Sequence, residues 1–194
     1  MPNKQGQLII ISSPSGGGKD SVIRELLKIF PNSTRLITTT SRPPRPGNVN
    51  DVDYHFINQQ QFIEKIKNGD FLEYNTYAGQ YYGTEKSKLT QTLERYDLVF
   101  TQIEVNGKHN LDKNGIKNTS IFLLPENLEI LKKRIQRRGG LTPKIIAERL
   151  KTATKEIADS ADYDYRLINK NGKMAETVSE IVAIIRSMLT KNNK

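Results

Sequence analysis

The chain has 194 residues, and its 30 Lys and Arg against 21 Asp and Glu give a formal net charge of +9. It contains no cysteine and two histidines, which excludes disulfides, thiolate metal sites, cysteine nucleophiles and histidine-rich zinc clusters. With 36% hydrophobic and 26% charged residues, it has the composition of a globular domain, and its aliphatic runs are too short for a signal-peptide core or a membrane span. We therefore expect a single domain over residues 1–194 in the cytoplasm.

The net charge of +9 indicates a polyanionic partner, which could be nucleic acid, a membrane surface or a small phosphate compound, or it serves solubility alone. Aromatic residues interleaved with basic ones would favour nucleic acid, because bases stack on aromatic rings. The basic run over residues 132–138 contains no aromatic residue. We therefore expect neither a nucleic-acid nor a membrane partner, and the sequence leaves the oligomeric state open.

The first thirty residues predict a strand, a glycine-rich loop and a helix in that order. Residues 7–12 form a short aliphatic run that ends at a Ser-Pro-Ser-Gly-Gly-Gly turn. Apolar residues then recur at helical spacing from Val22 to Phe30, and Pro31 ends the pattern. This order of elements is typical of the start of a βαβ unit.

Residues 38–88 have a different pattern, which predicts an inserted β-rich lobe around one small helix. Short β-like segments lie at 54–57 and 71–74. Between them Asn58 is the expected helix N-cap, and Gly69 is the expected stop. The segment 42–47 reads Arg-Pro-Pro-Arg-Pro-Gly, which is a stiff loop because proline fixes its backbone.

Helices and strands alternate again after residue 88. We expect strands at 98–103, 120–124 and 166–168, and helices over about 85–95, 127–138 and 174–190. A further helix is expected to begin at Pro143, with Thr142 as its N-cap. This alternation predicts an α/β fold with a parallel sheet flanked by helices. The core would comprise residues 1–37, 89–136 and 150–194.

The glycine-rich loop after the first strand approximates the P-loop pattern G-x-x-x-x-G-K-[ST]. Ser13 replaces the first glycine, Gly18 and Lys19 are kept, and Asp20 stands where the hydroxyl belongs. Such loops bind phosphate because their amides and the following helix N-terminus converge on the anion, whereas an ordinary strand-to-helix turn is the alternative interpretation. The expected phosphate contacts are Ser13, Pro14, Ser15, Gly16, Gly17, Gly18, Lys19, Asp20 and Ser21.

Five motifs in register resemble the guanylate kinase family, and the resemblance covers nearly the whole chain. They are the glycine loop, 39–47 (TTSRPPRPG), 53–56 (DYHF), 71–74 (FLEY) and 79–84 (GQYYGT). The resemblance implies a P-loop NTPase core, a nucleotide-monophosphate lobe at about 38–88 and a mobile lid at about 137–149. It also implies phosphoryl transfer from ATP to GMP, giving ADP and GDP.

The lobe carries residues suited to a nucleoside monophosphate. Arg42 and Arg45, with Tyr54 and Tyr82, supply hydrogen-bond donors for one phosphate monoester. Glu73 places a carboxylate inside an apolar β segment, where the N1–H and N2–H₂ edge of guanine would satisfy it. The resemblance adds Thr38, Thr84 and Glu104 to the GMP-binding residues.

Basic residues later in the chain match the family's lid. Arg134 and Arg138 are four residues apart and share one helical face, and Arg149 follows on the next helix. Such cations stabilise the charge on a migrating phosphoryl group. The resemblance assigns Asn169 to the adenine edge of ATP. The expected catalytic residues are Lys19, Arg42, Arg134, Arg138 and Arg149.

Two departures from the family pattern concern Mg²⁺, which is expected with ATP. Asp20 replaces the hydroxyl that follows the loop lysine, and Gln102 replaces the first carboxylate of a D-x-D segment that here reads Gln102-Ile103-Glu104. Together they favour a relocated carboxylate, with Asp20 as a metal ligand, since Mg²⁺ binds one or two carboxylates plus phosphate oxygens and water. Impaired metal binding is the alternative.

Two other functions stay open at this point. The Gly-Lys-Asp-Ser loop and the Val105-Asn106-Gly107 segment also resemble ribose 1,5-bisphosphate phosphokinase. That enzyme needs no guanine site, whereas this chain keeps the whole acceptor lobe, so we favour GMP. A catalytically impaired guanylate-kinase-like binding module is the second alternative, but it would give the loop lysine and the lid arginines no role.

Overall fold

The computed structural model describes residues 5–77, 79–137 and 140–191. The strands are β1 (Gln7–Ser12), β2 (Ser33–Arg35), β3 (Thr39–Thr40), β4 (His55–Phe56), β5 (Phe71–Tyr77), β6 (Gln80–Glu85), β7 (Leu98–Thr101), β8 (Thr119–Pro125) and β9 (Tyr165–Asn169). The helices are α1 (Lys19–Ile29), α2 (Gln59–Lys67), α3 (Lys86–Arg95), α4 (Val105–Lys113), α5 (Leu128–Gln136), α6 (Pro143–Asp159) and α7 (Met174–Lys191), with a 3₁₀ turn at Ser160–Asp162. No helix in these ranges has both the length and the apolar character needed to cross a membrane.

The chain forms two compact units, Met1–Ile10 with Asn32–Thr119 and Ile11–Pro31 with Ser120–Lys194, and β1 is divided between them. In the first unit, β7 pairs in parallel with β2 and with the residues of β1 up to Ile10, and in the second unit β8 pairs in parallel with β9. Helices flank these strands, which confirms the predicted α/β architecture.

The first unit packs a hydrophobic core between its parallel strands and helices. Leu8 of β1 lies opposite Val99 of β7, and both side chains are buried. The same core includes Ile10, Leu36, Leu89, Leu93, Ile103 and Leu111. Burial of each such aliphatic side chain stabilises the fold by roughly 1.5–3 kcal/mol.

The first unit also contains a four-stranded sheet in the order β4-β3-β6-β5, which confirms the predicted β-rich segments. β3 and β5 each run antiparallel to β6, and β4 runs parallel to β3. The small helix α2 begins as predicted, because Asn58 forms a capping box in which its side chain accepts from the backbone of Gln61 at 2.8 Å. Gly69, at φ +70°, follows its end.

In the second unit, β8 and β9 pair in parallel, with Leu123 opposite Leu167. Helices α5 and α6 pack through Leu131, Ile135 and Ala153. The side chain of Thr142 caps α6 and Pro143 occupies its first turn, as the sequence predicts.

Several elements differ from the sequence prediction. Helix α4 was not predicted, because the stretch Val-Asn-Gly-Lys-His-Asn-Leu-Asp-Lys offers Val105 and Leu111 as its only large apolar residues and shows no clear helical period. β7 ends at Thr101, two residues before the predicted end, and α5 ends at Gln136 instead of 138. β3 has two residues and pairs on both sides, which a local pattern cannot reveal.

Candidate functional site

The glycine loop of the second unit forms a tight turn between β1 and α1. Gly16 and Gly18 adopt φ angles of +90° and +93°, which only glycine reaches without strain. The amide of Gly17 donates to the carbonyl of Pro14 at 2.8 Å, and a Cβ on Gly17 would lie 2.4 Å from the Cβ of Ser13. The loop is therefore a backbone-lined turn that admits no side chains at these positions.

Helix α1 begins directly after this turn. Gly18 is its N-cap and offers no side chain to cap the first-turn amides, so the helix N-terminus can interact with an anion. Lys19 is the first helical residue and is half-buried, whereas Asp20 is exposed in the first turn. In the described ranges, no three His, Asp or Glu side chains are grouped closely enough to hold a metal ion.

Asn169, at the end of β9, contacts the glycine loop directly. Its side chain is 5% exposed; Nδ2 donates to the carbonyl of Gly17 at 2.8 Å and Oδ1 accepts from Thr177 Oγ1 at 3.1 Å. Arg134 donates from Nη2 to the carbonyl of Asn169 at 3.1 Å. The structure thus brings Arg134 and Asn169 to the loop, and the amide of Asn169 supports it.

The first unit groups the predicted phosphate-side residues of the lobe. Arg42 donates to the carbonyl of Pro43 at 2.8 Å and to Asn48 Oδ1 at 3.0 Å, and its guanidinium lies 5.6 Å from the centre of the Tyr54 ring. The rings of Tyr54 and Tyr82 meet edge to face at 6.0 Å. The guanidinium of Arg42 thus lies against the Tyr54 ring, which meets Tyr82 in turn, and these three side chains carry donors of the kind that suit a phosphate monoester.

Arg45 and Thr38 belong to the same lobe. The side chain of Arg45 is exposed, and its backbone amide donates to Asn48 Oδ1 at 3.0 Å. Thr38 is half-buried, and its carbonyl accepts from the amide of His55 at 2.9 Å. Asn48 therefore connects the two arginines of the loop through one oxygen.

The guanine-side residues are also close together in the first unit. Glu73 is 7% exposed, and its Oε1 accepts from Thr84 Oγ1 at 2.7 Å. Glu104 accepts from Asn75 Nδ2 at 2.9 Å, and a Cβ on Gly107 would lie 3.0 Å from Glu73 Oε2. The carboxylates of Glu73 and Glu104 can accept hydrogen bonds from a ligand rich in N–H groups.

The pKa of Glu73 is raised to about 6, chiefly because the carboxyl group is buried and also because the charge of Glu104 is nearby, while the hydrogen bond from Thr84 acts in the opposite direction. Glycine at position 107 lets this carboxylate approach the backbone of α4 closely, because a Cβ there would crowd Glu73 Oε2. A ligand that donates two hydrogen bonds to Glu73 would offset the cost of its burial.

A family model described as guanylate kinase matches residues 5–188. The chain belongs to the guanylate kinase family. It is 40% identical over 181 residues to a guanylate kinase of Prochlorococcus marinus, covering 93% of this chain and 97% of the relative. It is 37% identical over 183 residues to one from Clostridium perfringens strain SM101, covering 94% and 84%. The crystal structure of guanylate kinase from Anaplasma phagocytophilum matches with a TM-score of 0.76 at 26% identity, covering 97% of this chain and 88% of that one.

In this guanylate kinase family member, the glycine loop, Arg134 and Asn169 belong to the second unit, and the predicted acceptor residues belong to the first. Arg149 lies half-buried on α6, and Arg138 lies outside the described residues. Gln102 follows β7, and its Oε1 is buried without a hydrogen-bond partner in the described part of the chain.

Asn48 is a residue of the arginine loop whose contacts the sequence interpretation missed. It stands directly after Gly47, and its Oδ1 accepts from both Arg42 and Arg45. The available signal was an asparagine directly after a turn glycine, which is typical of a side chain that hydrogen-bonds nearby backbone.

Proposed function

We propose that this chain transfers the γ-phosphoryl group of ATP to GMP, giving ADP and GDP. The observation that carries the proposal is the buried carboxylate of Glu73, which accepts a hydrogen bond from Thr84 and interacts electrostatically with Glu104. The N1–H and N2–H₂ edge of guanine supplies the two adjacent donors that such a carboxylate needs, whereas the same edge of adenine lacks them. Membership of the guanylate kinase family supports the same acceptor.

In this reaction a phosphate oxygen of GMP attacks the γ-phosphorus, and the bond from that phosphorus to the β–γ bridging oxygen breaks as ADP leaves. Lys19 and the loop amides would hold the β- and γ-phosphates. Arg42 and Arg45, with the phenol groups of Tyr54 and Tyr82, would hold the phosphate of GMP. The arginines assigned to the migrating group are Arg134, Arg138 and Arg149. Positioning and charge stabilisation suffice, so no protein nucleophile is required.

Mg²⁺ would accompany ATP, and Asp20 is the residue in the loop that fits it. Its carboxylate is exposed in the first turn of α1, directly after Lys19. Carboxylate, phosphate oxygens and water are the ligands that Mg²⁺ prefers, and the bound ion would neutralise phosphate charge.

Substitution of Asp20 by serine, which restores the hydroxyl that the P-loop pattern has at this position, is expected to raise the Mg²⁺ concentration for half-maximal activity about tenfold or more. The reason is that even loss of an indirect metal partner weakens metal binding by about 10- to 100-fold. Initial rates over a Mg²⁺ series measure this, with Asp20→Asn as the matched variant that removes only the charge. Higher activity with an unchanged Mg²⁺ dependence would show that the relocation hypothesis is wrong.

ADP release in a coupled assay with GMP, AMP, UMP and ribose 1,5-bisphosphate as acceptors tests the proposed function. We expect turnover with GMP and little with the other three. Turnover with the bisphosphate alone would overturn the proposal, and tight GMP binding without turnover would support a binding module.

We expect the protein to act in the cytoplasm on ATP and GMP. Because the sequence contains no cysteine, it suits the reducing cytoplasm. ATP and GMP account for the phosphate-binding residues, so neither nucleic acid nor a membrane is needed to explain them.

A further inference from the structure

Glu85 lies at the junction of β6 and α3, and the function described so far does not use it. It is the last residue of the strand and the N-cap of the helix, and it is 5% exposed. Its side chain makes no cap hydrogen bond to α3. Instead, its carboxylate accepts from Thr39 Oγ1 and from Lys65 Nζ, the latter at 2.7 Å. The carboxylate therefore joins β6 to β3 and α2.

Glu85 is held as a carboxylate in this position. Burial opposes its ionisation, but the hydrogen bonds from Lys65 and Thr39 and the nearby charges of Lys65 and Lys88 prevail, so its pKa is below the ordinary value. Lys88 Nζ lies 3.9 Å from Glu85 Oε1, the oxygen that accepts from Thr39, whereas Lys65 donates to Oε2. A charged acceptor makes the bond from the Thr39 hydroxyl stronger than a bond between neutral groups.

Strand β3 depends on this bond more than a longer strand would. It has two residues, with Thr39 opposite Gly83 and Thr40 opposite Tyr82, so its backbone ladder is short. Thr40 Oγ1 accepts from the amide of Arg42 at 3.1 Å. An anchor at Thr39 therefore fixes the strand that leads directly into the arginine loop.

The same carboxylate also fixes the guanine side. Glu85 follows Thr84, whose hydroxyl donates to Glu73 at 2.7 Å. Successive side chains of a strand point to opposite faces, so Glu85 holds this segment from the face opposite Thr84. One carboxylate thus restrains the backbone beside both the base-side and the phosphate-side groups of the lobe.

We infer that Glu85 is a positioning residue for the acceptor nucleotide: by joining β3 to the β6–α3 junction, it sets Arg42 and Thr84 at the separation that one nucleotide requires. The identity of that nucleotide as GMP follows from the proposed function. A role limited to stability is the alternative, and it predicts that the apparent kcat falls with the folded fraction while KM for GMP stays unchanged.

Thr39→Val and Glu85→Gln test the inference. Thr39→Val keeps the branched shape and the Lys65–Glu85 pair but removes the hydroxyl. Because a hydrogen bond to a charged group has a substantial net effect, we expect KM for GMP to rise about fivefold or more in both variants. We expect KM for ATP and kcat to stay within about twofold, and Thr39→Ser, which keeps the hydroxyl, to restore KM for GMP.

Thr101→Val is the matched control. Thr101 is also a fully buried strand threonine of the first unit, but its hydroxyl has no hydrogen-bond partner in the described residues, so its kinetic constants should equal those of the parent. An unchanged KM for GMP in folded Thr39→Val and Glu85→Gln would overturn the inference, as would a fall in apparent kcat alone that tracks the melting temperature.

Calorimetric titration with GMP separates this inference from the proposed function. A parent that binds GMP without turning it over, with variants that bind more weakly, would contradict the reaction and support the positioning role. A parent that neither binds nor phosphorylates GMP would overturn both.

Discussion

Replacement of Lys19 by methionine is expected to lower kcat for GMP phosphorylation by about 10²- to 10³-fold, which is the usual cost of removing one preorganised charge-stabilising group. Lys19 is the first residue of α1 and directly follows Gly18 at φ +93°, so it lies at the end of the turn that the loop amides line. Charge develops on the oxygens of the migrating group during transfer, and methionine fills similar space without offering a cation.

Lys28→Met is the matched control for this prediction, because it makes the same substitution in the same helix. Lys28 is exposed and forms an ion pair with Glu25 at 2.8 Å, and such surface pairs contribute little to stability. We expect the control to keep the parent's kcat and both variants to keep its melting temperature. A Lys19→Met variant that retained more than about a tenth of kcat would contradict the role assigned to this lysine.

The elements that the sequence predicted correctly are those with contiguous signals. β1 is an uninterrupted aliphatic run followed by glycines, and α2 carries its own start signal in Asn58 and its own stop in Gly69. The two-residue strand β3 has no local signal, because it exists through pairing with β4 and β6. Helix α4, with Gly107 in its first turn, lacks the apolar period that identifies a helix.

The residues of the candidate site also differ in whether a local sequence motif reveals them. Glu73 and Arg42 could be found because they belong to short motifs whose chemistry can be read locally. The bond from Asn169 to Gly17 joins residues 152 positions apart, and the bond from Thr39 to Glu85 joins residues 46 apart. No local pattern connects such pairs, so only the folded structure shows that Asn169 supports the glycine loop and that Glu85 holds β3.

Activity toward GMP is expected to decline as the pH falls through about 6, through protonation of Glu73. The pKa of this residue is raised to about 6, first by burial and also by the charge of Glu104. Below that pH the neutral acid carries a proton where guanine presents donors, so kcat/KM for GMP falls while KM for ATP stays constant. A rate profile from pH 5 to 8 measures this decline.

Glu73→Gln is expected to lower kcat/KM for GMP by about 10²-fold at neutral pH, because the amide NH₂ group would face a donor of the base. It should also remove the decline near pH 6. Glu94→Gln, an exposed substitution on α3, should leave the pH profile unchanged.

The effect of Glu73→Gln on stability should be opposite to its effect on activity. A carboxyl group whose pKa is higher in the folded state than in the unfolded state opposes folding as the pH rises above the unfolded value, and does so fully once the pH exceeds the folded value. Removing that charge should therefore raise the free energy of unfolding of the ligand-free protein at pH 8, by about 1–2 kcal/mol. Lower stability together with unchanged GMP kinetics would remove Glu73 from the guanine site. Higher stability with loss of GMP activity would show that the buried charge of Glu73 serves GMP binding and lowers the stability of the fold.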